Sequence, residues 1–229
     1  MKHYIIASST ICLMACLFFS FTPAKKRARV VFFGDSITEA GVQPGGYISQ
    51  LRDSLSALNN VKKYELIGSG IGGNKIYDLY LRLEEDVLQR KPDVVVLYVG
   101  VNDVWHRQMF GTGTDADKFQ KFYLALIKKF QQKGIKVIAC TPACIGERPG
   151  GANPLDMELD RFASIIRQVA TDTQTPLCDL RRAFMAYETL YNTTDKSSGV
   201  LTTDGVHLND AGNKLVAENL LVKLQELGG

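Results

Sequence analysis

The sequence predicts an α/β sandwich built on a mostly parallel sheet of five strands. Five short apolar or β-branched runs, at 29–34, 64–69, 93–100, 135–141 and 176–180, alternate with longer segments of helical spacing at about 45–58, 76–90, 116–133, 155–173 and 209–227. Alternation of this kind is the mark of parallel strands joined by crossover helices. The third run contains "VVVLY" (94–98), apolar at every position, as a central strand covered on both faces has to be. The composition of the 229 residues, 45% hydrophobic and 22% charged, is enough to give one core that needs no disulfide or metal to hold it.

Taken in order, the chain opens on "MKHYIIASSTICLMACLFFSFTPA", with Lys2 near its start, an apolar stretch from Tyr4 to Phe21, and Thr22 and Ala24 placed for cleavage. Residues 1–24 read as a secretory signal peptide, which puts a single domain at 25–229 outside the cytoplasm, periplasmic or secreted. An uncleaved anchor, through which alone the protein would touch a membrane, and a lipoprotein site at Cys16 are the alternatives. The first strand, "RVVFFG" (29–34), runs into Asp35-Ser36, and "YELIGS" (64–69) runs into a glycine-rich loop. The loops at 104–117 and 142–154 are long and rich in glycine, and the stretch 180–208 reads as loop between the fifth strand and the last helix.

A net charge of +3, with its basic excess gathered at Lys25, Lys26, Arg27 and Arg29, argues against a nucleic-acid partner. Beyond residue 24 the cysteines are Cys140, Cys144 and Cys178. Their spacing, with no neighbouring histidine, fits no metal site, and an odd number fits no disulfide framework. Buried thiols are the reading, with a Cys140–Cys144 or Cys140–Cys178 bridge as the alternative. Asn192-Thr193-Thr194 matches the short and frequent glycosylation acceptor pattern.

In open α/β sheets, ligands bind outside the carboxyl ends of the strands. Four short blocks fall in those loops. Ser36 in "GDSIT" is a candidate nucleophile. "GSGIGGN" (68–74) formally matches G-x-G-x-x-G, but no acidic residue stands at the end of the next strand at the expected distance, so its glycines are read as clearing a backbone N–H for a ligand oxygen. Asn102 in "GVND" is a candidate oxyanion donor. Asp204 and His207 in "DGVH" are an acid and a base three residues apart. Taken singly, each is commoner as a cap, a turn residue or a satisfied loop side chain. Together they supply nucleophile, base, orienting acid and oxyanion donors at one sheet edge. No G-x-S-x-G elbow is present, which sets the chain apart from the usual α/β-hydrolases.

These blocks resemble the SGNH, or GDSL, family of serine esterases and acylhydrolases, named for a Ser, a Gly, an Asn and a His in four separate blocks. They match here as Ser36, Gly73, Asn102 and His207, with Asp204 before the last, and the likeness runs from about Val30 to the final helix. Ile37 stands where the name-giving motif has Leu. The resemblance implies a flavodoxin-like three-layer α/β/α sandwich and metal-independent ester hydrolysis without a cofactor. Ser36, Asp204 and His207 would form the triad. The Ser36 and Gly73 backbone N–H groups and the Asn102 side chain would form the oxyanion hole. Asp35 and Asp103 would bond backbone N–H groups beside the site rather than act as acids. Trp105, His106 and Asn74 are candidates for contact with substrate. No amphipathic lid rich in Leu and Phe is evident, which points to short-acyl esters, acetyl above all, on a small molecule or a glycan. Lysophospholipid and thioester substrates are the alternatives within the family. A nucleotide-binding flavodoxin- or Rossmann-like protein is the alternative from another class, and a non-catalytic carbohydrate-binding relative a further one.

Overall fold

A computed structural model describes residues 27–228; the segment read as a signal peptide, 1–24, lies outside the described residues. Five strands form one sheet in which every pairing is parallel: β1 (Ala28–Gly34), β2 (Tyr64–Gly70), β3 (Val94–Tyr98), β4 (Lys136–Cys140) and β5 (Leu177–Cys178). The order is β2-β1-β3-β4-β5. This is the flavodoxin-like doubly wound order, which reverses direction beside β1 and opens a crevice between the carboxyl ends of β1 and β3.

The helices are α1 (Ser36–Gly41), α2 (Tyr47–Ala57), α3 (Ile76–Asp86), α4 (Val101–Phe110), α5 (Ala116–Gln132), α6 (Asp156–Asp172), α7 (Leu180–Tyr191) and α8 (Asp210–Gly228). α2 packs on α8, while α5 packs on both α3 and α6, giving a layer on each side of the sheet. The core follows from this sandwiching. Val30 to Phe33 of β1 and Val95 to Leu97 of β3 are inaccessible to solvent, and Ile48, Leu51, Phe119, Ile127 and Ile166 close over them. Right-handed crossovers need helices on both faces, so the central strands are apolar throughout.

Three stretches depart from expectation. The turn after β1 is the start of a helix: Asp35 caps α1, its Oδ1 accepting the Ile37 N–H at 3.0 Å. Half of the loop expected at 104–117 is α4, which ends at Gly111 in the left-handed region, where its N–H donates to Arg107 O at 3.1 Å. Much of the loop expected at 180–208 is α7, begun by Asp179, whose carboxylate accepts the Arg182 N–H. β5 has only two residues, so α7 follows it almost at once.

Cys140, Cys144 and Cys178 are free, buried thiols. Cys140 and Cys178 are register partners on β4 and β5; burial first, and then the neighbouring Cys178, push the Cys140 thiol well up. Asn192 of the acceptor pattern is buried, with its side-chain Nδ2 donating to Glu147 O and Lys196 O. It is a loop clamp in this fold and has no face to offer a glycan.

Candidate active site

β1 is flanked by β2 and β3, with Gly34 level with both Gly70 and Tyr98. The loops after these three strands are therefore adjacent, and they carry Ser36, Gly73 and Asn102. Ser36 is the first residue of α1 and half-buried. Its Oγ lies 3.2 Å from His207 Nε2, and His207 Nδ1 lies 2.7 Å from Asp204 Oδ2. The other oxygen of Asp204 accepts the N–H groups of Val206 (3.0 Å) and His207 (2.8 Å). Partial burial works against its charge, but the bonds from His207 and the two backbone groups hold its carboxyl below the usual carboxylate range.

The donor side is assembled from the other loops. Ser36 N–H belongs to the first turn of a helix, where backbone donors have no partner inside the helix. Gly73 has φ +74°, which favours glycine, and a Cβ there would come within 3.7 Å of His106 Cε1. Asn102 is buried and its Nδ2 donates to Asn74 O at 3.1 Å, which orients the amide. Asn74 Oδ1 accepts from Arg82 Nε at 2.7 Å. Asp35 and Asp103 each accept a backbone N–H beside these loops. Asp35 anchors Ile37, while both oxygens of Asp103 accept the Ile76 N–H at 3.2 and 3.3 Å. Burial, chiefly, pushes each up to about 7.

Trp105 and His106 sit on α4. The Trp105 ring meets His207 edge-on, centroids 6.1 Å apart, and the His106 ring meets Phe110 at 5.1 Å. Burial and the Lys75 ammonium hold His106 below its ordinary value. A cleft of about 350 Å³ adjoins the site on the Asp204 side, bounded by Trp105, Arg148, Pro154, Ser197, Asp204 and Val206. Among the described residues, no group of three His, Cys, Asp or Glu side chains is placed to hold a metal ion.

Two charged side chains matter here that sequence reasoning passed over. Arg82 on α3 bonds Gly34 O (2.8 Å), Ser69 O (3.2 Å) and Asn74 Oδ1 (2.7 Å), tying the ends of β1 and β2 to the Gly73 loop. Glu147, fully buried, accepts the N–H groups of Val200 (2.7 Å), Leu201 (2.7 Å) and Thr202, and so grips the loop that leads to Asp204. Gly146 N–H adds a bond to Gly205 O at 2.7 Å.

The glycines of 68–74 have local reasons that involve no nucleotide. A Cβ on Gly68 would lie 2.3 Å from Val42 Cγ1, and one on Gly70 only 2.1 Å from Glu39 N. The first turn of α1 rests directly on the end of β2.

A hydroxyl, an imidazole and a carboxylate stand in one hydrogen-bonded line at the crevice of a doubly wound sheet, and likeness to known proteins makes this one a hydrolase of carboxylic esters. More narrowly, residues 32–215 match the GDSL-like lipase/acylhydrolase family, and the chain belongs to it. Among its relatives, an acetylxylan esterase of Geobacillus stearothermophilus is 28% identical over 209 residues, covering 84% of this chain and 92% of its own length. The crystal structure of the acetyl xylan esterase AlAXEase is similar at 55% identity with a TM-score of 0.84, covering 86% of this chain and 99% of that one. That of Axe2, an acetylxylan esterase of G. stearothermophilus, is similar at 26% identity with a TM-score of 0.75, over 88% and 96% of the two chains. Catalytic mutants of Axe2 have a serine or a histidine replaced by alanine.

Proposed function

We propose that the protein removes acetyl groups from an acetylated glycan of the xylan type, using Ser36 as nucleophile. The observation that carries this reading is the unbroken line Ser36 Oγ, His207 Nε2, His207 Nδ1, Asp204 Oδ2 at 3.2 and 2.7 Å. The likeness to acetylxylan esterases supports the choice of ester.

Ser36 Oγ attacks the acetyl carbonyl carbon while His207 Nε2 takes the hydroxyl proton. The carbonyl oxygen becomes an oxyanion, held by the N–H groups of Ser36 and Gly73 and by Asn102 Nδ2. Asp204 keeps the imidazole in the tautomer that presents a bare Nε2, and stabilises the imidazolium. The tetrahedral species collapses as the bond to the sugar oxygen breaks, and that oxygen takes the proton from His207. Water, deprotonated by His207, then attacks the acetyl-serine ester and releases acetate, restoring Ser36. Asp35 and Asp103 hold the loops through backbone bonds. Trp105, beside His207, borders the route by which the sugar leaves. Export of the mature domain, on the strength of the apolar segment at 4–21, completes the reading.

The test is hydrolysis of a chromogenic acetate ester and release of acetate from acetylated xylo-oligosaccharides by the wild type, Ser36→Ala and His207→Ala. Each replacement is expected to lower kcat by at least about 10⁴-fold. Activity that survives both, or a preference for octanoyl and palmitoyl over acetyl esters, refutes the assignment. The mass of the exported protein shows where the N-terminal segment ends.

A further inference from the structure

The cleft next to the triad contains one charge with no partner among the described residues. Its two ionic side chains are Asp204 and Arg148. Asp204 is engaged by His207 and by two backbone N–H groups. Arg148 is exposed, and among the described residues its guanidinium has neither an ion pair nor a hydrogen bond. Its backbone, by contrast, is firmly set. Arg148 N–H donates to Asn153 Oδ1 at 3.0 Å, and Asn153 Nδ2 donates back to Arg148 O at 3.0 Å. Asn153 is itself buried and held by Asp156 Oδ2, whose other oxygen pairs with the buried Arg181 at 2.7 Å. A buried network thus fixes the root of a side chain whose charged end is left for a ligand. Trp105 lines the same cleft and its ring also meets His207 edge-on, so cleft and triad share a side chain.

The acetyl group is small and its carbonyl must lie at Ser36, which does not line this cleft. What can reach the cleft is the alcohol side of the ester, the part that His207 protonates as it leaves. A planar guanidinium with unused donors matches a carboxylate in two-point fashion, and an indole face matches the C–H face of a sugar ring. We propose that the cleft is a subsite for a carboxylate-bearing sugar of the acetylated glycan, with Arg148 pairing the carboxylate and Trp105 bordering the ring. This rests on the glycan reading given above. The carboxylate could come from a uronic acid branch or from a uronic acid in the glycan backbone.

The experiment compares kcat/KM for acetate release from three substrates of equal acetyl content: a xylo-oligosaccharide with a uronic acid branch, the same oligosaccharide with that carboxyl reduced to an alcohol, and an oligogalacturonide. The enzymes are the wild type, Arg148→Gln and Arg148→Lys, each checked for an unchanged unfolding midpoint. The wild type is expected to prefer the carboxylate-bearing branch over its reduced form by about fivefold at low salt, and less at high salt. Arg148→Gln removes the preference and Arg148→Lys keeps part of it. A preference confined to the oligogalacturonide assigns the subsite to backbone uronic acids. No preference in the wild type, or a preference that survives Arg148→Gln, overturns the proposal and leaves the glycan reading standing. If no oligosaccharide is deacetylated while the chromogenic acetate is, the glycan reading falls and the subsite with it.

Discussion

Arg82 allows a sharp test of how the proposed oxyanion donors are positioned. Its guanidinium gives five hydrogen bonds: to Asn74 Oδ1 (2.7 Å), Gly34 O (2.8 Å), Ser69 O (3.2 Å), Ser69 Oγ (3.3 Å) and Asp86 Oδ2 (2.7 Å). It also stacks over Phe33, 4.6 Å from the ring centroid. Gly34 is two residues before Ser36, and Asn74 directly follows Gly73 and orients Asn102 through its carbonyl. All three proposed donors are therefore referred to one side chain. Arg82→Met keeps the apolar stem over Phe33 and removes every polar bond; Arg82→Lys keeps the charge for Asp86 but cannot span three loops.

Bonds from a charged donor contribute about 1.5–3 kcal/mol each when isolated. Two are short and reach uncharged acceptors, while the bond to Asp86 is partly exposed and counts for less. Because the bonds share one side chain they do not add, and a stability loss of about 2–4 kcal/mol is expected for Arg82→Met. Removal of a whole oxyanion donor lowers kcat by about 10²–10³-fold. Displacement of the loops without removal should lower it by about tenfold or more, with KM little changed. The shape of the pH–rate profile should stay the same, because the His207–Asp204 pair is untouched. The assays are steady-state kinetics on a chromogenic acetate and urea unfolding, with kinetics run where each variant is folded. A folded Arg82→Met enzyme with kcat within about twofold of wild type would refute the positioning argument, since the same data exclude loss of fold as the explanation.

Two further predictions concern stability. Asp35 and Asp103 are each pushed up to about 7, above the ordinary value they regain on unfolding, so the native state holds more protons than the unfolded chain between about pH 4 and 7. Stability should therefore fall as pH rises through that window and level off above it; Asp35→Asn, which can still accept the Ile37 N–H, should flatten the slope, and a wild-type urea midpoint higher at pH 8 than at pH 5 contradicts the assignment. Glu147→Gln replaces one acceptor oxygen with an amide that faces backbone N–H donors, so a loss of about 3 kcal/mol is expected, and an unmoved denaturation midpoint would show that the loop around Leu201 does not depend on it.

The sheet was legible because its signal is local. Runs such as "RVVFFG" and "VVVLY" declare buried strands by their own composition, and the blocks around Ser36, Gly73, Asn102 and His207 fall just where strands or loops end. α4 escaped notice because its polar residues, His106, Arg107 and Gln108, follow a motif that looks like loop, although Gly111 was available as a stop signal. α7 was hidden by the brevity of β5. Arg82 and Glu147 were illegible for a different reason. Charged residues on helices and loops are usually solvated, and the partners that explain these two lie 48 residues away for Gly34 and 54 for Leu201. Periodicity carries no information over such distances.

The two halves of the site differ in what holds them. With β1 between β2 and β3, any chain of this strand order brings the ends of those three strands together, so Ser36, Gly73 and Asn102 are neighbours by topology. Gly70 shows how little slack there is: a single Cβ would collide with the first turn of α1. Asp204 and His207 have no strand end to place them. They sit on the stretch between α7 and α8, whose approach is set by Glu147, by the Gly146–Gly205 bond and by the Asn192 clamp. Gly146 and Gly205 also line the cleft that holds Arg148 and Trp105. A change in the 142–154 loop should therefore alter the proposed base, His207, and the Arg148 cleft together while leaving the proposed oxyanion donors where the sheet puts them. That coupling would let relatives with the same sheet diverge in substrate by exchanging two loops.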